Sequence, residues 1–418
     1  MLRFASSSVR RRGFASSSFW KYVEEGPLDA NKATTVALKA DPNPNKVNLG
    51  EGIYKDDTGK CPVLPCIREA EARLAKANAD HEYCPISGIP SFCKSASQFA
   101  FGADSSLFKE NRIATVQTLS GTGALRIGAD FVAKFLPKAT PVFISDPTWV
   151  NHRALFQTAG CEVRTYKWYD KAKNALDIDG CLKDLRNAPL RSVILLHACA
   201  HNPTGIDPTM EQWKKISDAC LERNHIVFFD NAYQGFASGD PDKDAAGFRH
   251  FINQGHQLIV AQSFAKNMGM YGERVGALNI MTGSEQETTA VDSQLKIIIR
   301  ANYSSPPLFG ARLVDMVLSE PALKKQWFVD VKEMADRIAL MRSSLVQNLG
   351  KAGSKLDWSH ITNQIGMFAF SGLGEKQVMK LRSDFSVYMN KDGRMSIAGI
   401  NSRNVEYLAK AIHEVTRS

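Results

Sequence analysis

The chain has 418 residues, of which 44% are hydrophobic and 23% are charged, a composition typical of a globular protein with one large and one smaller domain. No apolar run approaches the ~18 residues that a membrane-spanning helix needs, so we expect a soluble protein with no membrane partner. The net charge is +9, but four of these charges are arginines among the first fifteen residues and no Lys/Arg run follows, which argues against nucleic-acid binding.

Eight cysteines are scattered through the chain, without a Cys-x-x-Cys pair or a Cys/His cluster at zinc-binding spacing. Neither a metal site nor a disulfide framework is therefore indicated. Reduced thiols in a reducing compartment are the expectation.

Residues 1–18 are rich in Arg and Ser, contain no acidic residue, and carry single apolar residues between them. This composition is typical of a mitochondrial transit peptide, because a secretory signal would have a continuous apolar core. A disordered tail is the alternative, and in either case the segment stands apart from the fold. Phe19 and Trp20 then begin an apolar arm of the kind that packs on another surface, such as a second subunit.

The next segments carry two features of interest. Gly50 and Gly52 lie close together, a spacing that lets a backbone approach a ligand, although a plain turn explains it equally well. A helix is predicted from Arg68 to Ala79, and the loop that follows presents an aromatic hydroxyl, Tyr83.

A short strand is predicted from Asn111 to Leu119, and it runs into Ser120, Gly121 and Thr122 at the start of a helix. Free backbone N–H groups and the helix dipole favour an anion at such a position, and the two hydroxyls add to this preference. An ordinary Ser/Thr helix cap is the alternative interpretation.

Five further apolar runs each adjoin polar residues: Pro141–Trp149, Ser192–Gly205, His225–Gly235, Leu258–Lys266 and Arg274–Met281. Helical patterns lie between several of them, which predicts an α/β fold with a mostly parallel sheet covered on both faces. Such sheets bind ligands at the carboxyl ends of their strands. The chemically useful residues lie at those ends: Trp149, His197, Asn202, Asp230, Tyr233 and Lys266.

The C-terminal part predicts a second, smaller α+β unit. Pro321–Leu349 reads as one long amphipathic helix, Ile361–Gly372 and Phe385–Gly399 as short strands, and Val405–Val415 as a closing helix. Before them, Ser293–Arg300 fits either a helix or a strand, and it ends in a polar, proline-terminated loop.

Ser263, Lys266 and Arg274 place a hydroxyl, an amine and a guanidinium within twelve positions. This set suits an amine that forms a Schiff base beside groups that hold a phosphate, as in pyridoxal phosphate enzymes. Such chemistry also needs an acid near the pyridine nitrogen, for which Asp230 is the candidate. Considered alone, a solvated lysine on a strand-exit loop is the simpler interpretation.

Further side chains would complete such a site. Tyr233 and Asn202 could bond the phenolic oxygen of the cofactor, and Trp149 could stack on its ring. Arg300 and Arg394 could each bind a carboxylate with a bidentate guanidinium fork, so that the pair would recognise a dicarboxylate. Each of these residues also has an ordinary structural explanation as a core aromatic or a surface charge.

Taken together, several motifs resemble aspartate aminotransferases, in that family's order and over essentially the whole chain from Trp20 to Thr416. They are Ser120-Gly-Thr-Gly-Ala-Leu-Arg126, Asp146-Pro-Thr-Trp-Val-Asn-His152, His197-Ala-Cys-Ala-His-Asn-Pro-Thr-Gly205, Phe228-Phe-Asp-Asn-Ala-Tyr-Gln-Gly-Phe-Ala-Ser-Gly239 and Ser263-Phe-Ala-Lys-Asn267.

The resemblance implies a fold-type I, pyridoxal-phosphate-dependent homodimer with active sites at the subunit interface. It implies a mitochondrial matrix enzyme that exchanges amino groups between aspartate and 2-oxoglutarate by a ping-pong mechanism. The large domain would span 62–333, and the small domain would combine 19–61 with 334–418. A broader aminotransferase that also takes aromatic amino acids or kynurenine is the alternative.

The resemblance also implies a role for each site residue. Lys266 would be the Schiff-base lysine and Asp230 the partner of the pyridine nitrogen, with Tyr233 and Asn202 on the phenolic oxygen and Trp149 on the ring. Substrate would meet Arg394 at its α-carboxylate, Arg300 of the other subunit at its distal carboxylate, and the backbone of Gly52. The groups that would hold the phosphate are Ser120, Gly121, Thr122, Ser263, Arg274 and Tyr83 of the other subunit.

Two regions of the chain depart from the family's usual pattern. The residue directly after Arg300 is not the proline that is usual in the family. Further along this loop, Ser305 stands where an asparagine is more common before the double proline. Glu51 is acidic where the family usually has a small or apolar residue, and a carboxylate there would repel a dianionic substrate unless it points away.

Overall fold

The computed structural model describes residues 18–26 and 30–417. The predicted transit peptide, residues 1–18, lies outside this part of the chain except for its last residue. The strands are β1 (Val47–Asn48), β2 (Ile113–Leu119), β3 (Val142–Asp146), β4 (Val163–Lys167), β5 (Tyr169–Asp170), β6 (Ala175–Leu176), β7 (Val193–His197), β8 (Ile226–Asn231), β9 (Leu258–Ser263), β10 (Val275–Met281), β11 (Phe368–Phe370), β12 (Val387–Tyr388) and β13 (Arg394–Ser396).

Helices surround these strands and connect most of them. They are α1 (Ala30–Ala40), α2 (Pro65–Lys76), α3 (Pro90–Phe101), α4 (Ser106–Lys109), α5 (Ser120–Phe135), α6 (Asn151–Thr158), α7 (Ile178–Asn187), α8 (Met210–Glu222), α9 (Pro241–Asn253), α10 (Glu285–Asn302), α11 (Phe309–Ser319), α12 (Pro321–Lys351), α13 (Ser359–Asn363), α14 (Glu375–Phe385) and α15 (Val405–Thr416), with a 3₁₀ turn at Ile397–Gly399.

A seven-stranded sheet, in the order β2-β10-β9-β8-β7-β3-β4, forms the centre of the protein. Its strands are parallel except for β10, which runs antiparallel to both of its neighbours, β2 and β9. The predicted mostly parallel α/β sheet is therefore confirmed. The fifth apolar run predicted from the sequence, Arg274–Met281, forms β10. Only a short loop separates it from β9, which leaves no room for the crossover helix that parallel pairing would need.

Both faces of this sheet are buried, because successive side chains of a strand point to opposite sides. In β7, Ile194 and Leu196 join a core with α7, α8 and α9, whereas Val193 and Leu195 join a core with α5, α6 and α10 on the other face. The continuous apolar runs of the sequence follow from this burial on two sides.

A second set of short strands lies apart from the large sheet. β1 pairs with β12, and β11 pairs with β13. The long helix α12 packs against α2, α11 and α15 and carries a buried Arg342. Its guanidinium donates hydrogen bonds to the carbonyl oxygens of Ile361 (2.8 Å), Gly366 (2.8 Å) and Phe368 (2.5 Å), so it fixes the segment before and within β11 to the helix.

Most elements predicted from periodicity agree with these bounds to within a few residues. The segment Ser293–Arg300, which fitted a helix or a strand, is part of the helix α10, while the edge strand β4 was not predicted. Only Tyr166 of β4 is buried, whereas Arg164, Thr165 and Lys167 are exposed, so this strand lacks the apolar run of the central strands. Among the described helices, none combines the length and apolarity needed to cross a bilayer.

We expect Arg342→Met to lower the free energy of unfolding by about 3 kcal/mol, because it removes the donors of three buried carbonyl groups. Urea unfolding followed by circular dichroism measures this change. Lys324→Met, at an exposed position on the same helix, is the matched control. Equal urea midpoints for the two variants would contradict the structural role of Arg342.

Candidate active site

The carboxyl ends of β3, β7, β8 and β9 meet at one edge of the large sheet. Asp230 in β8 pairs with His197 in β7 on one side and with Ala261 in β9 on the other. Because parallel strands end at the same edge, residues far apart in the chain come together there.

A cleft of about 300 Å³ opens at this edge. Twelve of the fourteen predicted site residues line it: Gly52, Ser120, Gly121, Thr122, Trp149, Asn202, Asp230, Tyr233, Ser263, Lys266, Arg274 and Arg394. The other two, Tyr83 and Arg300, do not line the cleft of their own chain.

Asp230 is buried at the floor of the cleft, where its Oδ2 atom accepts a hydrogen bond from Nε2 of His152 at 3.0 Å. Burial by itself would raise the pKa of this carboxyl group, but the hydrogen bond from His152 and the electrostatic effect of the nearby basic groups, including Lys266, outweigh it and lower the pKa below its usual value. Asp230 is therefore an ionised acceptor that faces the cleft at neutral pH.

A chain of hydrogen bonds continues behind this pair. Thr148 Oγ1 lies 2.8 Å from Nδ1 of His152 and 3.1 Å from Nε2 of His197. Burial lowers the pKa of His197 to about 3, so this ring is neutral at physiological pH. The chain fixes the orientation of the His152 ring and thereby its bond to Asp230.

Lys266 follows β9 directly and points into the cleft, with its Nζ atom 5.5 Å from the centre of the Tyr233 ring. Burial lowers the pKa of the Lys266 ammonium, Asp230 opposes this shift, and Arg274 adds to it. Such an amine loses its proton more readily than an exposed lysine, as a nucleophile or proton carrier requires.

Ser120, Gly121, Ser263 and Arg274, beside Lys266 and the N-terminus of α5, form a set of groups suited to an anion, which we call the anion-binding cradle. The first N–H groups of a helix have no partner within the helix, and their dipoles favour an anion. Ser120, which has a φ of 61°, begins the helix, and its hydroxyl lies 3.0 Å from that of Ser263. A Cβ atom at Gly121 would lie 3.0 Å from the Ser263 Cβ, so glycine permits this close approach.

The reversed strand β10 brings the cation of this cradle into place. Arg274 immediately precedes β10, and because β10 is antiparallel, its first residues lie beside the ends of β2 and β9. Gly276 pairs with Ser263, and a Cβ atom there would lie 2.5 Å from the Ser120 carbonyl carbon. Only glycine fits here against the Ser120 backbone and the Gln262 carbonyl oxygen, and this close approach brings Arg274 to the same cradle as the Ser120 and Ser263 hydroxyls.

The residues present fit pyridoxal phosphate. The buried Oδ1 atom of Asn202 has no hydrogen-bond partner among the described residues, and it lines the cleft. A buried amide oxygen is unfavourable without a hydrogen-bond donor, and a ligand in the cleft could supply one. The cleft also offers an amine, an ionised carboxylate for a ring nitrogen, and hydroxyls, helix N–H groups and a guanidinium for a phosphate.

Arg394 begins β13 and is buried in the wall opposite the cradle. Its Nη2 atom donates to the Gly50 carbonyl oxygen at 3.0 Å and to Asn390 Oδ1 at 3.2 Å, and its guanidinium lies 4.3 Å from the Phe368 ring centre. Asn390 and Phe368 were missed in the sequence, which gave no signal for either beyond a turn and a short apolar strand.

Gly52 lies in the same wall, and a Cβ atom there would come within 2.9 Å of the Phe368 ring. Gly52 also lines the cleft, and its contact with a ligand stays a prediction.

Tyr83 and Arg300 lie at the surface. The Tyr83 side chain is 92% exposed, and Arg300, in the last turn of α10, donates from Nη1 to Ser304 Oγ at 2.5 Å. The arm from 18 to 26 is also exposed, with Phe19 at 93% and Trp20 at 76%.

The comparisons with known proteins agree with this site. The family model for aminotransferases of class I and II matches residues 44–412. A mitochondrial aspartate aminotransferase from Dictyostelium discoideum is 51% identical over 416 residues, which cover 100% of this chain and 97% of the relative.

Two solved structures have closely similar folds. An aromatic-amino-acid aminotransferase from Burkholderia pseudomallei, covalently bound to pyridoxal phosphate, has a TM-score of 0.93 and 43% identity, with 95% of this chain and 99% of that one covered. A mitochondrial aspartate aminotransferase from Trypanosoma brucei has a TM-score of 0.89 and 44% identity, with 92% and 100% covered.

The cleft and the sheet define a transferase of the pyridoxal phosphate class, and the predicted cofactor is confirmed by the family match and the cofactor-bound neighbour. The chain belongs to the family of class I and II aminotransferases.

In the apoprotein, we expect Lys266 to titrate below an ordinary lysine, because burial and Arg274 disfavour its charged form. Arg274→Leu should raise the pKa of Lys266, and Asp230→Asn should lower it further. Competitive acetylation across a pH series, read by mass spectrometry, measures the pKa, with the exposed Lys324 of the same sample as reference. The same midpoint for Lys266 and Lys324 would contradict this expectation.

Proposed function

We propose that this chain catalyses the reversible transfer of an amino group between L-aspartate and 2-oxoglutarate, giving oxaloacetate and L-glutamate. The observation that carries the proposal is one cleft that holds Lys266, Asp230, the anion-binding cradle and Arg394. The identity of about 50% to whole mitochondrial aspartate aminotransferases supports the choice of substrates.

The cofactor would be held by three groups of residues. Ser120, Gly121, Thr122, Ser263 and Arg274 would bind its phosphate, and Asp230 would accept a hydrogen bond from its protonated ring nitrogen. Tyr233 and Asn202 would bond its phenolic oxygen, and Trp149 would cover its ring. When bound, pyridoxal phosphate supplies an electron sink for the negative charge that develops at the α-carbon of the substrate.

Lys266 would hold the cofactor between turnovers and act on the substrate during them. With a substrate amine in its place, its Nζ atom would be free beside the substrate, where it would accept the proton from the α-carbon as a general base and give it up again as a general acid. The lowered pKa of Lys266 supports this role, because the amine must lose its proton near neutral pH.

Substrate recognition would use two guanidinium groups. Arg394, already in the cleft, would bind the α-carboxylate, and the backbone of Gly52 would lie beside it. Arg300 would bind the distal carboxylate from a second subunit, and Tyr83 of that subunit would reach the phosphate. The exposure of Tyr83 and of the arm around Trp20 supports an interface with a second copy.

We therefore propose a homodimer with shared sites, located in the mitochondrial matrix. The location rests on the composition of residues 1–18 and on the mitochondrial relatives. We also propose a large domain of residues 62–333 and a small domain of 19–61 with 334–418, which would place Arg394 and Lys266 in different domains.

A second candidate is an aminotransferase of broader range that also accepts aromatic amino acids. It is supported by the TM-score of 0.93 to an aromatic-amino-acid aminotransferase. The two candidates share the cofactor chemistry and differ only in the binding of the substrate side chain, so rates with aspartate and phenylalanine, measured side by side, separate them.

The purified protein with pyridoxal phosphate is expected to form oxaloacetate from aspartate and 2-oxoglutarate. Lys266→Ala should lower kcat about 1,000-fold or more, because both the proton carrier and the covalent anchor are lost. A coupled assay for oxaloacetate measures this, with Lys324→Ala as the control. Absence of oxaloacetate with the wild-type protein would rule out the proposed function.

Arg300→Ala and Arg394→Ala should each raise the KM for aspartate about 10- to 100-fold, since each removes a charge-assisted carboxylate contact. If the sites are shared, a refolded equal mixture of the two variants should recover about a quarter of the wild-type activity, because half of the dimers then contain one intact site. A mixture no more active than its parents would contradict shared sites.

A further inference from the structure

The rim of the cleft carries an ion pair that the proposed mechanism does not use. Glu51 lines the cleft between Gly50 and Gly52, and its Oε2 atom lies 3.3 Å from Nζ of Lys55. Both side chains are partly accessible, at 31% for Glu51 and 27% for Lys55. Among the described residues that line the cleft, the carboxylates are Asp230 at the floor and Glu51 at the rim.

Glu51 is held at this place by contacts on both sides of it. On one side, the Gly50 carbonyl accepts a hydrogen bond from Arg394, and the Leu49 carbonyl accepts one from the Ser396 N–H at 2.7 Å. On the other side, the Tyr54 N–H donates to the Tyr271 hydroxyl at 2.9 Å, in the loop between Lys266 and Arg274.

The packing of Gly52 against Phe368 prevents this segment from moving inward. Glu51 therefore stands at a fixed position at the rim of the cleft, where a dianionic ligand is repelled more strongly than a monoanionic one. Its negative charge acts on whatever occupies the cleft, and Lys55 compensates that charge as long as the pair is intact.

We propose that Glu51 is a specificity-determining residue, whose charge, balanced by Lys55, weakens the binding of dicarboxylates relative to ligands with an uncharged side chain. This inference rests on the proposed function for the assignment of the cleft to substrate. Two like charges at the rim of a partly solvated cleft repel each other, whereas a phenyl group experiences no such repulsion.

The ion pair makes the effect adjustable in both directions. Removing the charge of Glu51 relieves the repulsion, while removing Lys55 leaves the carboxylate uncompensated and strengthens it. Because the pair is partly exposed, added salt should reduce both effects.

The test measures dissociation constants by calorimetry on the holoenzyme, with succinate as the dicarboxylate and 3-phenylpropionate as the monocarboxylate. Glu51→Gln should tighten succinate binding about 3- to 10-fold and change 3-phenylpropionate binding less than about twofold. Lys55→Met should weaken succinate binding by a similar factor. Both changes should become smaller in about 0.5 M KCl, because salt screens the charges of a partly exposed pair.

The double variant Glu51→Gln/Lys55→Met distinguishes an electrostatic effect on succinate binding from a change in the local structure. If the two residues act on the ligand through their opposite charges, the effects of the single substitutions cancel and the double variant binds succinate about as the wild-type protein does; succinate binding in the double variant as weak as in Lys55→Met would overturn the inference. Lys214→Met, which breaks the exposed pair with Glu211 on α8, is the matched control and should change neither constant.

The inference would be overturned if Glu51→Gln left the ratio of the dissociation constants for succinate and 3-phenylpropionate within about twofold of the wild-type ratio. A change of that ratio in favour of 3-phenylpropionate would overturn it as well. This outcome is distinct from a failure of the proposed function, because ligand binding is measured without turnover. A wild-type enzyme that forms no oxaloacetate would remove the proposed function, whatever the variants bind.

Discussion

A buried carboxylate kept ionised by a histidine is the interaction on which the site depends. Burial alone would favour the neutral form of Asp230, and a neutral acid could not hold the proton of a ring nitrogen. The bond from His152 reverses that preference, and His152 is in turn oriented by Thr148 and the neutral His197. The fold brings the two residues together, because β8 places the carboxylate and the segment after β3 places the histidine at one edge of the sheet.

The sequence predicted the central sheet and the floor of the cleft well, because both depend on local patterns. Apolar runs that end in polar residues locate the strand ends, and parallel pairing then brings Asp230 and Asn202 together, with Lys266 beside them. The prediction that Ser120 begins a helix also agrees with the structure, since a glycine-containing turn after a strand specifies that geometry locally.

The residues that were missed depend on contacts between segments distant in the chain. Asn390 and Phe368 have no local signature, and their place around Arg394 arises only when β11 pairs with β13. The reversed direction of β10 was likewise not predicted, because its apolar run resembles those of the parallel strands. Tyr83 and Arg300 lie outside the cleft of their own chain, and their proposed roles depend on a second copy.

The two walls of the cleft are built on separate frameworks. Ser120, Ser263 and Arg274 derive their spacing from the register of β10 in the large sheet, whereas Arg394 and Gly52 derive theirs from the short strand pairs outside it. A displacement of the second framework would therefore change the grip on substrate and leave the anion-binding cradle intact. In the proposed reaction, which releases a different product in each half of its cycle, this division would let the wall with Arg394 shift during exchange while the cradle retained the cofactor.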